Sequence, residues 1–174
     1  MKLRPLRESD DRSAFSSGDE DLDRFFHRYA GHSQFRHHLG VTWVAVEDGR
    51  IVGFATVAPA QLDAEAIRVT LRRRLPGYPL PVLRLARLAV SRSDRGRGIG
   101  TALLRRVFEL AVEMSERVGC VGVVVDAKSG SMGFYRELGF SELEVMVGAL
   151  DTRPRPIAMF LPLALVETAL GTRG

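Results

Sequence analysis

The apolar and polar positions of this chain lay out a succession of strands and helices before any chemistry is considered. Residues 2–7 read as a short strand. Leu22, Phe25, Phe26 and Tyr29 recur at i, i+3, i+4 and i+7, the spacing with which a helix turns one face to a core. Ser17-x-x-Glu20 has the form of a capping box. The pattern predicts a helix that buries this aromatic stripe and runs on, or restarts, through Gln34–His38. Val41–Val46 and Ile51–Val57 are strand runs joined by Glu47-Asp48-Gly49-Arg50, and Asp-Gly between apolar runs is a strong hairpin signal.

A Pro-, Arg- and Leu-rich stretch over 59–81 leaves room for a short helix near Ala64–Leu75. An apolar strand, Val82–Val90, follows it. Ile99, Leu103, Val107, Leu110, Met114 and Val118 then recur every three or four residues as a long amphipathic helix stopped by Gly119. Arg105, Glu109, Glu113 and Arg117 form its wet side. Val121–Asp126 is a continuous apolar run, as in a buried parallel strand. Ser129–Leu138 reads as a short helix closed by Gly139, and Phe140–Val147 and Ile157–Leu163 read as a final strand pair. The order β-α-β-β-(α)-β-α-β-α-β-β predicts an α/β fold, a mixed sheet with helices on its faces. No repeat or second domain is visible, so residues 1–163 read as one domain and 164–174 as a C-terminal tail.

Composition adds modest limits. A hydrophobic fraction of 45% and a charged fraction of 26% are those of a globular protein. No apolar run reaches the ~20 residues that span a bilayer, and the N-terminus lacks an apolar signal core. A cytoplasmic protein without a membrane partner is expected. The lone Cys120 excludes an internal disulfide and reads as inert core. His27, His32, His37 and His38 lack metal-ligand spacing, so surface histidines and no metal are expected. Of the 25 basic residues only Lys2 and Lys128 are lysines. Genome base composition produces such a bias, but the placement says more: Arg68, Arg72, Arg73, Arg74, Arg84, Arg87, Arg92, Arg95 and Arg97 crowd one stretch. Such a run is ordinarily a solvated face, and more sharply the mark of a polyanionic partner.

The candidate chemistry begins where strand 82–90 gives way to Arg95-Gly96-Arg97-Gly98-Ile99-Gly100-Thr101. Three glycines let backbone N–H groups approach a ligand, and the positive end of a helix stands behind them. Together they suit an anion, most naturally a phosphate. A nucleotide P-loop would need a Lys that is not there, and both registers of the dinucleotide pattern G-x-G-x-x-G fail, at Thr101 and Leu103. An ordinary glycine-rich turn also fits these residues. The segment Arg95-x-x-Gly98-x-Gly100, after a strand and opening a helix, resembles the R/Q-x-x-G-x-G/A pyrophosphate loop of the GNAT superfamily of N-acetyltransferases.

The resemblance implies a GNAT fold with a mixed, mostly antiparallel sheet and a splayed parallel pair near 82–90 and 121–126. It implies acetyl-CoA as co-substrate, contacted by Leu88, Ala89 and Val90 of the strand and by Arg95, Gly96, Arg97, Gly98, Ile99, Gly100 and Thr101 of the loop. A second segment, Ser129-Gly-Ser-Met-Gly-Phe134-Tyr135-Arg-Glu-Leu-Gly139-Phe140, resembles the family's N-x-x-A-x-x-F-Y-x-x-x-G-F. Ser129 replaces the frequent Asn and Met132 the frequent Ala. There the family uses the tyrosine as general acid for the departing CoA thiolate, which points to Tyr135, with Ser129 and Phe134 at the cofactor. The alternative is that Phe134 and Tyr135 are core aromatics. Acetyl transfer to an amine needs no enzyme nucleophile. It needs alignment, an oxyanion donor and a proton.

A narrower likeness concerns the acceptor. Phe15-x-x-Gly18-x-x-x-Leu22-x-x-Phe25-Phe26, then T-W-V-A-V-E-D-G-R-I-V-G-F, then Leu75–Val90 are similar to the toxins of type II toxin–antitoxin pairs. That subgroup acetylates the α-amino group of aminoacyl-tRNA and is restrained by a ribbon-helix-helix antitoxin. The likeness implies those two partners, a homodimer being common, and draws Arg36, Arg84 and Arg87 into the substrate-binding set. A small-molecule amine or a protein amino group is the alternative acceptor.

Overall fold

Strand β1 (Lys2–Pro5) opens the chain in a computed structural model that describes residues 1–63, 66, 79–143 and 156–171. Next come α1 (Glu20–Arg24), β2 (Val41–Glu47), β3 (Arg50–Leu62) and β4 (Leu80–Val90). Then follow α2 (Ile99–Arg117), β5 (Gly122–Ala127), α3 (Met132–Glu137), β6 (Ser141–Glu142), β7 (Ile157–Pro162) and α4 (Leu163–Leu170). The strands form one mixed sheet in the order β1-β2-β3-β4-β5-β7-β6. The pairs β1–β2, β2–β3, β5–β7 and β6–β7 are antiparallel, and β4–β5 is the parallel pair of the GNAT-like fold expected above. The helix expected near Ala64–Leu75, the arginines at 68, 72, 73 and 74 and the end of the strand over 140–147 lie outside the described residues.

The chain divides into two compact units, Met1–Ala58 with Leu85–Val107, and Pro59–Arg84 with Phe108–Gly174. In the first, the Asp-Gly signal gives the turn it predicts. Asp48 and Gly49 both take positive φ, 48° and 75°, between the paired residues Glu47 and Arg50. The core here is aromatic. Phe26 stacks on Phe54 at 4.3 Å, and Phe15 sets its edge on Phe26 at 5.0 Å and on Phe54 at 5.4 Å.

Two details of α1 differ from the sequence reading. Its cap is Asp19, whose carboxylate accepts the N–H groups of Asp21 and Leu22. Ser17 instead donates its hydroxyl to Asp23 at 2.6 Å, so the capping box does not form. The helix then continues through wider turns at Phe25–Tyr29 and His32–Arg36. In those turns the Ala30 N–H reaches back five residues to Phe25, which shifts the buried face by one position. Ala30 is therefore fully buried, and Tyr29, expected in the stripe, is 52% exposed.

In the second unit, Leu80, Val82, Val124, Leu143 and Phe160 form the core. Strand β5 is buried along most of its length and pairs Val124 with Phe160. The face of α2 also drifts from the predicted stripe. Phe108 and Ala111 are buried while Val118, beyond the last turn, is 80% exposed. Residues 164–170, read as the start of a tail, lie in helix α4, which begins at Leu163, expected as the end of the last strand. It is anchored by fully buried Val166 and by a 3.0 Å bond from the Leu163 N–H to the Val121 carbonyl.

Candidate active site

Strand β4 runs into a single 3-10 turn (Arg92–Asp94) and then the glycine loop. Gly96 and Gly98 sit at φ 76° and 77°, a region that costs a side-chain-bearing residue free energy. No atom lies within 4 Å of where a Cβ would be at either position. Backbone conformation, not crowding, therefore demands glycine, and the space above the loop is open. The Gly98 carbonyl accepts the Ala102 N–H at 3.0 Å, so Gly98 caps α2. The N–H groups of the first turn then have no partner within the helix. An open glycine cradle in front of a helix N-terminus fits the diphosphate that the family resemblance implies.

The helix start is fixed from below. A Cβ added to Gly53 on β3 would lie 2.9 Å from Ile99 Cγ2, 3.0 Å from Leu103 Cδ1 and 3.1 Å from the Ala89 carbonyl. Helix α2 can settle this low on the strand only over a glycine. Gly53→Ala is expected to destabilise the protein by about 1–3 kcal/mol, read as a lower denaturation midpoint. An unchanged midpoint would show that the helix can lift without cost.

The loop's arginines are all engaged. Arg95 Nη2 donates to the Ser17 carbonyl. Arg97 donates to Asp94 at 2.7 Å and to Glu47 at 2.8 Å. Arg50 grips the same Asp94 with both nitrogens, at 2.7 and 3.0 Å. Asp94 is 4% exposed, and the Arg50 guanidinium holds its carboxyl far below the usual carboxylate range. The sequence reading did not link Asp94, Glu47, Arg50 or Ser17 to the loop: it took Ser17 for a helix cap and Glu47 and Arg50 for a hairpin. A polar turn before a glycine loop gives no sign of which distant side chains it meets. Of the strand residues expected at the cofactor, Ala89 is buried while Leu88 and Val90 are half-buried.

Ser129, Phe134 and Tyr135 come together in the second unit. Ser129 opens an exposed turn leading into α3. Phe134 is 39% exposed on that helix, and Tyr135 beside it is 5% exposed. The Tyr135 ring meets the edges of Phe134 at 5.2 Å and Phe140 at 5.4 Å. Burial disfavours the phenolate and pushes its pKa up to about 12. Tyr135 is thus a phenol that keeps its proton, held by aromatic packing.

The three arginines named for an acceptor are separately placed. Arg84 pairs with Asp126 of β5. Arg87, three positions on and so on the opposite face of β4, lays its guanidinium 3.7 Å from the centre of the Phe25 ring. Arg36 is exposed and lines a surface pocket of about 160 Å³ with Glu8, Arg12, His32 and Phe35. Of the histidines, His32, His37 and His38 are exposed as expected. His27 is half-buried and donates from Nε2 to the Phe15 carbonyl at 2.8 Å. Cys120 is buried, and burial raises its thiol pKa. Among the described residues no group of His, Cys, Asp or Glu could hold a metal ion, and no helix is long and apolar enough to cross a membrane.

Residues 2–140 match the acetyltransferase (GNAT) family. A tRNA-acetylating toxin of Mycobacterium tuberculosis is 35% identical over 126 residues, which are 71% of this chain and 74% of that protein. The structure of AtaT complexed with acetyl-methionyl-tRNAfMet superposes with a TM-score of 0.82 at 22% identity, covering 96% of this chain and 97% of the other. An AtaT mutant bound to acetyl-CoA and the C-terminus of the antitoxin AtaR does so with a TM-score of 0.76 at 22% identity, covering 98% and 97%. At that identity these two likenesses establish the fold.

Proposed function

The chain belongs to the acetyltransferase (GNAT) family and is an N-acetyltransferase using acetyl-CoA, and from that premise we propose that it acetylates the α-amino group of aminoacyl-tRNA as a translation-blocking toxin. The observation that carries the acceptor is the 35% identity, over 71% of the chain, to a protein named as a tRNA-acetylating toxin. The open cradle at Gly96 and Gly98 supports the loop, residues 95–101, as the seat of the pyrophosphate. Leu88, Ala89, Val90, Ser129 and Phe134 complete the donor contacts. When bound, the thioester supplies an activated acetyl group.

The protein's residues then have two tasks. Backbone N–H groups of β4 receive the charge that develops on the carbonyl oxygen as the neutral amine adds. Tyr135 Oη gives its proton to the departing thiolate as the C–S bond breaks. A thiol titrates near ~8.5, well below Tyr135, so transfer comes late, once charge has built on sulfur. The proton lost by the acceptor nitrogen restores the phenol. No base on the enzyme is needed, because an α-amino group titrates near ~7.7–8.0 and its ester form lower still.

The pH profile follows from these values. The working form of Tyr135 is protonated, and with a pKa of about 12 it is lost only in strong alkali. The rate should rise as the amine deprotonates and then stay level to pH ~10. A fall centred near ~10, the value of an unperturbed tyrosine, would contradict a buried donor.

Incubation of the purified protein with radiolabelled acetyl-CoA and charged total tRNA tests the acceptor. Label is expected on aminoacyl-tRNA, released with the amino acid by mild base. Label confined to free amines or to protein amino groups would replace this reading with the alternative acceptor. Arg36 and other exposed basic side chains are proposed to meet tRNA phosphates, so labelling should weaken as salt rises. A ribbon-helix-helix antitoxin is the proposed partner, and the cytoplasm the proposed place of action.

A further inference from the structure

Four side chains close a ring around the start of the glycine loop. Glu47 and Arg50 are paired across the β2–β3 hairpin. Glu47 accepts from Arg97 at 2.8 Å, Arg97 donates to Asp94 at 2.7 Å, and Asp94 accepts both Arg50 nitrogens at 2.7 and 3.0 Å. Asp94 also accepts from the Ser93 hydroxyl at 3.1 Å. It is buried although Arg95, Gly96, Arg97 and Gly98, which follow it, are all exposed. It is therefore the fixed point from which an otherwise outward-facing loop departs. Two carboxylates and two guanidinium groups also cancel, so the ring holds the loop without adding net charge beside the anion it is read to bind.

We propose that Asp94 is a positioning residue for the donor, fixing through Arg50 and Arg97 the loop whose backbone N–H groups grip the pyrophosphate of acetyl-CoA. This rests on reading residues 95–101 as the pyrophosphate loop. It carries a distinctive sign. Asp94→Asn removes a negative charge near a bound polyanion, so Coulombic attraction alone would tighten donor binding. Loss of the loop's anchor weakens it.

The test compares two acetyl donors, acetyl-CoA and S-acetylpantetheine, which lacks the pyrophosphate. For Asp94→Asn, KM for acetyl-CoA is expected to rise about tenfold, with kcat at saturation and KM for S-acetylpantetheine within about twofold of wild type. A lower or unchanged KM for acetyl-CoA overturns the proposal. So does an equal loss with both donors, which would mark a general structural defect. Gly98→Val, which disturbs the loop directly, separates the two readings. If it discriminates between the donors and Asp94→Asn does not, only the role of Asp94 falls. If neither does, the loop assignment itself falls. Should Asp94→Asn fail to fold, Arg50→Lys keeps the charge but loses the two-nitrogen grip on Asp94 from outside the loop, and is read in the same way.

Discussion

Tyr135→Phe is expected to lower kcat by about 10²–10³-fold while acetyl-CoA affinity stays within about twofold. The substitution removes one oxygen and keeps the ring. Packing on Phe134 and Phe140, at 5.2 and 5.4 Å, is apolar and needs only the ring, so the fold and the donor contacts survive. What is lost is the proton that would meet the leaving thiolate. Water does not easily take the place of the phenol, because Tyr135 is only 5% exposed. Single-turnover acetylation by both proteins, alongside calorimetric titration with acetyl-CoA, separates the two effects. An unchanged kcat would remove the acid role and return Tyr135 to the aromatic core.

Gly98→Val is expected to weaken acetyl-CoA binding at least tenfold. At φ 77° a left-handed conformation costs an ordinary L-residue about 1–2 kcal/mol, and a β-branched one more. The new Cβ itself meets no crowding, since no atom lies within 4 Å of it. The cost therefore falls on the backbone, which relieves it by turning its N–H groups off the ligand. A tenfold weaker Kd corresponds to about 1.4 kcal/mol, within reach of that strain. Gly100 is the control. A Cβ there meets Val90 Cγ2 at an ordinary 3.5 Å, and alanine is favoured within a helix by about 1 kcal/mol. Gly100→Ala should leave affinity unchanged and raise stability slightly. Equal Kd for wild type and Gly98→Val would show that this loop does not hold the donor.

Much of the fold was legible because its signals are local. The Asp48-Gly49 hairpin, the buried run of β5 and the helix behind Gly98 each follow from a few neighbouring residues and one geometric period. The stretches proposed to hold the donor are local in the same way, lying contiguously on a strand, a loop and a helix start. Where reading failed, a competing neighbour or a change of helix geometry intervened. Ser17 and Glu20 have the spacing of a capping box, yet the Ser17 hydroxyl is bonded to Asp23 and Asp19 caps the helix instead. Tyr29 has the spacing of a core residue, yet the wide turns of α1 seat Ala30 in its place.

The sequence by itself therefore determined most of the described strands and helices, though not α4, that a glycine loop precedes α2, and that a tyrosine follows β5 in a family motif. Tertiary structure alone decided the company these residues keep. It buried Tyr135 among aromatics, which keeps its phenol protonated. It drew Arg87 onto the Phe25 ring and Arg84 onto Asp126. It closed the ring at Asp94 from partners 44 positions apart for Arg50–Asp94 and 50 apart for Glu47–Arg97. Periodicity reports the backbone's own geometry over a few turns, whereas a buried charge takes its partners from whatever strands the sheet brings beside it.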